Sequence, residues 1–333
     1  MTRAHRLIGL GTALGLAGAL TACGSSAPSG GTPSATEHHY VFELITKSNA
    51  SPYWLAVKDG ADAAAKKVGA TVHFEAPASG TDLATQIAMV NNAAASHVDG
   101  IILAAQNPSA LVAPVQAAEK DGIPVVTVDS GISPNIADSF LATSNVASSA
   151  ALARYVAKLA GNHGAYAIID FNEESSTGIA RPKGFRQGMA SVPGMTYVGM
   201  QIGNNSIPLS TQEALTLLES HPNINVMFGA NDRSALGVAA AVQQLHKVGK
   251  VIVAGFDADL GEVNLIKNGV IAASVLQSPY DMGYQAVMEL IKIKHHQSVP
   301  KRVDTPYMIV TPQNVNTPAA VRFIKQYIPN YPG

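Results

Sequence analysis

From residue 40 onward, two hydrophobic patterns alternate along the chain. Short unbroken runs of Val, Ile, Leu and Phe are separated by longer stretches in which apolar residues return every three or four positions. Unbroken runs of roughly four to eight residues fit strands buried on both faces, and the three-to-four spacing fits amphipathic helices. The pattern predicts strands at 40–46, 71–76, 100–104, 124–128, 165–170, 196–202, 226–230, 251–256 and 272–276. Helices are predicted over 52–68, 82–96, 147–159, 210–219 and 234–248. Pro52 suits the first turn of its helix, where a missing N–H costs nothing. Strand and helix in regular alternation predict an α/β fold with parallel sheets.

A distant internal repeat refines that picture. The string Ala105-Gln106-Asn107-Pro108-Ser109-Ala110-Leu111 is matched by Ala230-Asn231-Asp232-Arg233-Ser234-Ala235-Leu236. Each copy follows an apolar strand and is expected to open a helix. Each leads through another apolar strand to a carboxylate, Asp129 in the first half and Asp257 in the second. Two similar Rossmann-like lobes facing each other across a cleft follow from this duplication. Open α/β sheets bind ligands at the carboxyl ends of their strands, so strand-end residues of both halves should meet there.

The first 39 residues follow a different pattern. Arg3, His5 and Arg6 precede an uncharged apolar stretch, Leu7 to Leu20. It spans about 14 residues, short of the roughly 20 that a membrane-crossing helix needs, so residues 1–22 are expected to be a signal peptide. Leu20-Thr21-Ala22-Cys23 resembles a bacterial lipoprotein processing site, with Cys23 as the lipidated residue. Cys23 is the only cysteine of the 333 residues, which rules out an internal disulfide. Residues 23–39, rich in Gly, Ser and Pro, read as a flexible tether. The expected location is extracytoplasmic, periplasmic or at the cell surface, with the body anchored to the membrane through lipid.

Composition narrows the classes further. Hydrophobic residues make up 47 %, charged residues 14 %, and the net charge is −1. Such a chain is globular and carries no clustered Lys and Arg for nucleic acid. His38-His39 and His295-His296 are adjacent pairs, not the i, i+4 spacing of a helical metal site, so no metal is expected. Neither a Gly-x-Ser-x-Gly elbow nor a phosphate-binding Gly-Lys-Ser/Thr loop occurs. Glu173-Glu174, before a Ser-Ser-Thr-Gly turn, reads as a solvated loop. No cofactor and no catalytic residues are expected.

The strand ends offer hydroxyl-binding chemistry instead. Lys47, Ser48, Asn49, Ser51, Tyr53 and Trp54 follow the first strand, and other strand ends supply Asp129, Asn231, Asp257 and Gln277. Carboxylates and amides take pairs of sugar hydroxyls, and aromatic faces stack on the C–H face of a sugar ring. Tyr53 and Trp54 fit equally well as residues packing the first helix on its sheet, and an isolated strand-end Asp as a helix cap.

At these residues the chain resembles the ribose-binding-protein-like solute receptors of ABC importers, of periplasmic binding protein type 1. The likeness rests on Ser51-Pro52-Tyr53-Trp54 with Val57-Lys58-Asp59-Gly60-Ala61, Val125-Val126-Thr127-Val128-Asp129, Ala230-Asn231-Asp232, Gly255-Phe256-Asp257 and Gln277-Ser278-Pro279-Tyr280. It runs from about residue 40 to about 316. The resemblance implies lobes of residues 40–144 plus 278–303 and 145–277 plus 304–333. They would be joined by three crossings near Asn145, Gln277 and Asp304 and would close on ligand. It places ligand contacts on Lys47, Tyr53, Trp54, Asp129, Asn231, Asp257 and Gln277. Arg181, in Arg181-Pro182-Lys183-Gly184-Phe185, matches the family's Arg-x-x-Gly-Phe pattern. A further contact arginine expected two residues earlier is Ile179 here, and an aromatic expected near Asn205 is replaced by Asn204-Asn205. Both departures point away from ribose toward other sugars, polyols or sugar-like signals.

The implied function is capture of a monosaccharide or polyol by a monomeric binding protein that serves a permease and its ATPase. The alternative is a receptor for an autoinducer-type signal that feeds a sensor. A sugar-responsive repressor would need an N-terminal helix-turn-helix, where this chain has its apolar leader. A glycosidase could use Asp129 and Asp257 as its carboxylate pair, but nothing beside them in the sequence points to a raised carboxyl pKa.

Overall fold

A computed structural model describes residues 38–49, 51–80 and 82–332. The leader, Cys23 and all but the last two tether positions lie outside these residues. The first lobe begins with β1 (Val41–Ile45), α1 (Pro52–Val68), β2 (Thr71–Glu75), α2 (Leu83–Ala95), β3 (Gly100–Leu103), α3 (Val112–Lys120), β4 (Val125–Val128) and β5 (Ser139–Ala142). The second continues with α4 (Asn145–Leu159), β6 (Gly164–Asp170), α5 (Ser176–Ala190), β7 (Met195–Ile202), α6 (Ile207–Ser220), β8 (Ile224–Gly229), α7 (Asp232–Gln244), β9 (Ile252–Phe256), α8 (Leu260–Lys267) and β10 (Ile271–Leu276). The chain then returns through α9 (Pro279–Lys294) and β11 (Val303–Asp304) to the first sheet, and ends with β12 (Met308–Val310) and α10 (Pro318–Tyr327) at the second.

The strand orders are β11-β5-β4-β3-β1-β2 and β12-β10-β9-β8-β6-β7. Renumbered within each lobe, both begin 2-1-3-4-5, so the repeat seen in the sequence is a repeat of topology. Neighbouring strands pair in parallel except β12, which runs antiparallel to β10. Because helices cover both faces, β3 and β4 are buried at every position, as their unbroken apolar runs require. In the first lobe, Phe42, Leu44 and Val126 pack beneath α1 and α9, while Ile45, Ile101 and Val125 face α2 and α3. In the second, Phe185 of α5 stacks on Phe228 of β8 with centroids 4.3 Å apart.

Among the described residues the chain passes between the sheets three times, after β5, after β10 and between β11 and β12. The first and third crossings are tied together. Thr305 N–H donates to the Ala142 carbonyl at 3.0 Å, and Arg302 Nη2 donates to the carbonyls of Ala142 and Thr143 at 3.0 and 3.3 Å. Crossings this few and this short suit a hinge.

Local chemistry explains the element boundaries. Ser51 caps α1 by accepting from Tyr53 N–H at 3.3 Å, with Pro52 in the first turn and Gly69 closing the helix at φ 69°. Three expectations need correction. Residues 105–111 form a loop, and α3 starts only at Val112, whereas in the second copy α7 already starts at Asp232. Asn231 has a side-chain oxygen that caps the helix by accepting from Ser234 N–H at 2.9 Å, and Gln106 at the equivalent position is turned to other partners. The Ser-Ser-Thr-Gly segment is a cap and first helical turn, since Ser175 accepts from Gly178 N–H at 3.2 Å and α5 begins at Ser176. Residues 139–142, 303–304 and 308–310 are strands too short to show a period.

The α1–α9 contact depends on two reciprocal glycines. A Cβ at Gly60 would lie 1.9 Å from the Tyr280 carbonyl oxygen, and one at Gly283 1.9 Å from the Val57 carbonyl oxygen. Only bare backbone allows these helices to approach so closely. Gly283→Val should therefore force them apart and cost about 1–3 kcal/mol or more. Urea unfolding monitored by circular dichroism checks this, and an unchanged midpoint would contradict it.

Candidate functional site

The two strand-end aspartates have the same unusual backbone. Asp129 follows β4 and Asp257 follows β9, with φ of 57° and 75°. Non-glycine residues rarely adopt this left-handed region, and strain of this kind gathers at functional sites. Each amide is anchored to the adjacent strand, Asp129 to the Leu141 carbonyl at 2.9 Å and Asp257 to the Val275 carbonyl at 2.8 Å. Matching ladders in the two lobes thus aim one carboxylate from each side into a single cleft.

Arg181 of α5 lies between them. Its Nη1 donates to Asp257 Oδ2 at 3.2 Å and to the Ala230 carbonyl at 2.9 Å, and its Nε donates to Asn145 Oδ1 at 2.9 Å. Its Nη2 is 3.9 Å from Asp129 Oδ1, and the guanidinium carbon is 3.8 Å from the Phe256 ring centre. Lys47, just past β1, places Nζ 3.3 Å from Asp129 Oδ2 and donates to Thr177 Oγ1 at 3.1 Å. Lys47 and Asp129 belong to the first lobe, Thr177 and Arg181 to the second, so the Lys47–Thr177 hydrogen bond and the Arg181–Asp129 ion pair cross the cleft.

Tyr53 and Trp54, in the first turn of α1, meet edge to face at 4.8 Å, and both are 7 % exposed. They pack the helix and also face the cleft. The Tyr53 hydroxyl donates to Asp129 Oδ1 at 2.9 Å, and Ser130 Oγ donates to Asp129 Oδ2 at 2.7 Å. On the opposite wall Asn231 Nδ2 donates to Asn205 Oδ1 at 2.7 Å, while Asn231 Oδ1 caps α7. Capping and cleft lining are here two roles of one side chain.

The cleft contains about 640 Å³ of empty space, part of it open to solvent. Lys47, Tyr53, Trp54, Asp129, Arg181, Asn205, Asn231 and Asp257 all line it. Gln277 does not. It stands behind Asp257, donating from Nε2 to Asp257 Oδ1 at 2.6 Å, so its direct role is to hold that carboxylate. Ile179 is 52 % exposed and lines a separate surface groove with Pro182 and Tyr197. Helical rotation carries it away from Arg181, and it does not line the cleft.

Several lining residues escaped the sequence reading. Phe171, Asn172 and Thr177 follow β6, and the rule that flagged other strand ends would have found them there. Asp232 and Arg233 lay inside the repeat string. Tyr327 of α10 stands behind the lining, its hydroxyl accepting from Gln277 N–H at 2.8 Å and lying 3.4 Å from Asp257 Oδ1, and left no signal.

Burial and charge act against each other on these groups. Burial alone would raise Asp129, but Lys47 and Arg181 outweigh it and hold the carboxyl below its ordinary range. For Asp257 burial wins over Arg181 and Gln277, and its pKa rises. Asp232 is pushed up to about 6, by burial first and then by Asp257. A raised carboxyl therefore does occur in the cleft, contrary to the sequence reading, and its cause is desolvation. Burial also lowers Lys47. No group of three or more His, Cys, Asp or Glu able to hold a metal occurs among the described residues.

The family model of the periplasmic binding protein domain matches residues 42–297. The chain is 30 % identical over 250 residues to the D-allose-binding periplasmic protein of Escherichia coli K12, covering 73 % of this chain and 80 % of that protein. It is 28 % identical over 306 residues to the D-ribose/D-allose-binding protein of Pseudomonas aeruginosa, covering 88 % and 95 %. Two ABC-transporter solute-binding proteins of Agrobacterium vitis share the fold. The one bound to α-D-tagatopyranose has a TM-score of 0.83 and 29 % identity, covering 86 % of this chain and 99 % of that one. The one with bound D-fucose has a TM-score of 0.81 and 32 % identity, covering 84 % and 98 %.

Asp170, the last residue of β6, is fully buried beside the cleft wall. Its Oδ1 accepts from Phe171 N–H at 2.8 Å, and Oδ2 has no protein partner. Burial pushes its pKa from the ordinary 3.8 up to about 8. A carboxyl raised on folding costs stability progressively as pH climbs from the unfolded value to the folded one. Asp170→Asn keeps an acceptor for Phe171 and does not titrate. Relative to wild type, its stability should rise between pH 4 and pH 8, by on the order of a few kcal/mol. Thermal unfolding across that range checks this, and parallel pH curves for the two proteins would refute it.

Proposed function

The chain belongs to the family of the periplasmic binding protein domain, and from that premise we propose that it captures a monosaccharide or polyol for an ABC importer. The carrying observation is the cleft's balance of charge. Lys47, Arg181 and Arg233 line one cavity together with Asp129, Asp232 and Asp257. An anionic or cationic ligand would leave one sign of buried charge uncompensated, at a heavy cost. A neutral polyol presents donors and acceptors at every carbon and satisfies both signs at once. Tyr53 and Trp54 supply the aromatic wall for the C–H face of a ring. The sugars bound by the relatives, D-fucose and α-D-tagatopyranose among them, are of this chemical class.

In this reading Lys47, Tyr53, Trp54, Asp129, Arg181, Asn205, Asn231 and Asp257 contact the ligand, and Gln277 supports Asp257. Hinge closure joins the two walls around the sugar, and the closed form is what the permease and its ATPase receive. Proteins of this family work outside the cytoplasm, and Cys23 is the proposed lipid attachment point that keeps this one at its membrane, as a monomer. Catalysis and cofactors have no part in the proposal.

Isothermal titration calorimetry with a panel of pentoses, hexoses and polyols tests it. At least one should bind with micromolar or tighter affinity, about −8 kcal/mol. Asp257→Ala and Asn231→Ala should each weaken that binding by about 2–4 kcal/mol through lost and unpaired bonds. Failure of every sugar and polyol to bind would overturn the proposal.

A further inference from the structure

Behind the cleft wall lies a carboxyl that touches no part of the cavity. Glu262, in the first turn of α8, is fully buried, as is Ser274 of β10. Ser274 Oγ lies 2.7 Å from Glu262 Oε1 and 3.0 Å from the carbonyl oxygen of Asp257. Glu262 Oε2 has no protein partner. Space for the contact is reserved by Gly255, where a Cβ would sit 2.4 Å from Glu262 Oε1 and 3.0 Å from Ser274 Oγ.

A serine hydroxyl carries one hydrogen, and both its neighbours here are oxygens. Were Glu262 ionised, it would draw that hydrogen and leave the Asp257 carbonyl without a donor. With Glu262 neutral, its O–H donates to Ser274 Oγ, and Ser274 donates to the Asp257 carbonyl. The second arrangement gives both Ser274 Oγ and the Asp257 carbonyl a donor, and only Glu262 Oε2 stays unpartnered. It also suits the surroundings, since the charges that act most on Glu262 are Asp232 of α7, Asp257 at the end of β9 and Asp259 at its own helix cap. Burial and these acids favour the neutral form, and the phenol of Tyr327 from α10 adds no cation.

We propose that Glu262, as a neutral acid, is a positioning residue that fixes the left-handed backbone of Asp257 through Ser274 and thereby sets ligand affinity. The inference rests on Asp257 being a ligand contact. Loss of the Glu262 proton should loosen the grip, so affinity should fall at alkaline pH. Lys47 also loses charge as pH rises, and it is common to every variant, so the comparison is made between variants at each pH.

The test is sugar affinity by calorimetry from neutral to alkaline pH, using the tightest-binding sugar of the panel. Glu262→Gln, whose amide donates to Ser274, should match wild type at neutral pH and lose less affinity on alkalinisation. Glu262→Met should weaken binding about tenfold. Should Glu262→Met fail to fold by circular dichroism, Ser274→Ala cuts the same relay without adding volume and should weaken binding similarly. Wild-type affinity in Glu262→Met, or in Ser274→Ala if that replaces it, would overturn the proposal. So would matching pH profiles of wild type and Glu262→Gln. Asp257→Ala separates the two failures. If it loses affinity while the relay variants keep theirs, the relay alone is wrong, and if it retains affinity, the site reading falls as well.

Discussion

Arg181, placed between two buried aspartates that belong to different lobes, is the interaction on which the rest depends. A carboxylate taken out of water is costly unless a cation and hydrogen bonds replace the solvent. Asp129 obtains both from Lys47, Tyr53 and Ser130, and its pKa falls despite full burial. Asp257 receives Arg181 and Gln277, yet desolvation still dominates. The first carboxylate is therefore firmly ionised and the second held less securely, so the two walls differ electrically although their backbones match. Arg181 is itself fixed by Asn145, Ala230 and the Phe256 ring, and it can bridge the two walls only when they are close.

That arrangement follows from duplication of one topology. Both lobes begin with the same strand order, and in each the fourth strand delivers an aspartate in left-handed conformation, tied to the fifth. Two such sheets facing each other bring the same feature to a cleft from both sides. Three short crossings join the lobes, and Lys47 and Arg181 reach across the cleft to Thr177 and Asp129.

Much of this was legible in the sequence. Strands such as β3 and β4 read clearly because burial on both faces makes them unbroken apolar runs, and α1 was placed at 52–68 with Pro52 in its first turn. The pair Asp129 and Asp257 emerged from the repeat, since equal topology puts equal positions at equal depth. Short strands β5, β11 and β12 stayed hidden because a few residues cannot display a period. Gln277 was found at its strand end, but its bond to Asp257 was not, because sequence reports strand ends and not which neighbour a side chain meets. Tyr327 and Glu262 act from behind the wall through bonds made only after folding, and no local pattern marks them.

The central claim is that side chains from opposite lobes grip one small hydroxylated molecule between them. A crystal structure of the protein with its tightest-binding sugar tests this most directly. The account predicts one sugar ring between the lobes, with hydroxyls within hydrogen-bond distance of both Asp129 and Asp257. A sugar bound to one lobe alone, or seated outside the cleft, would contradict it.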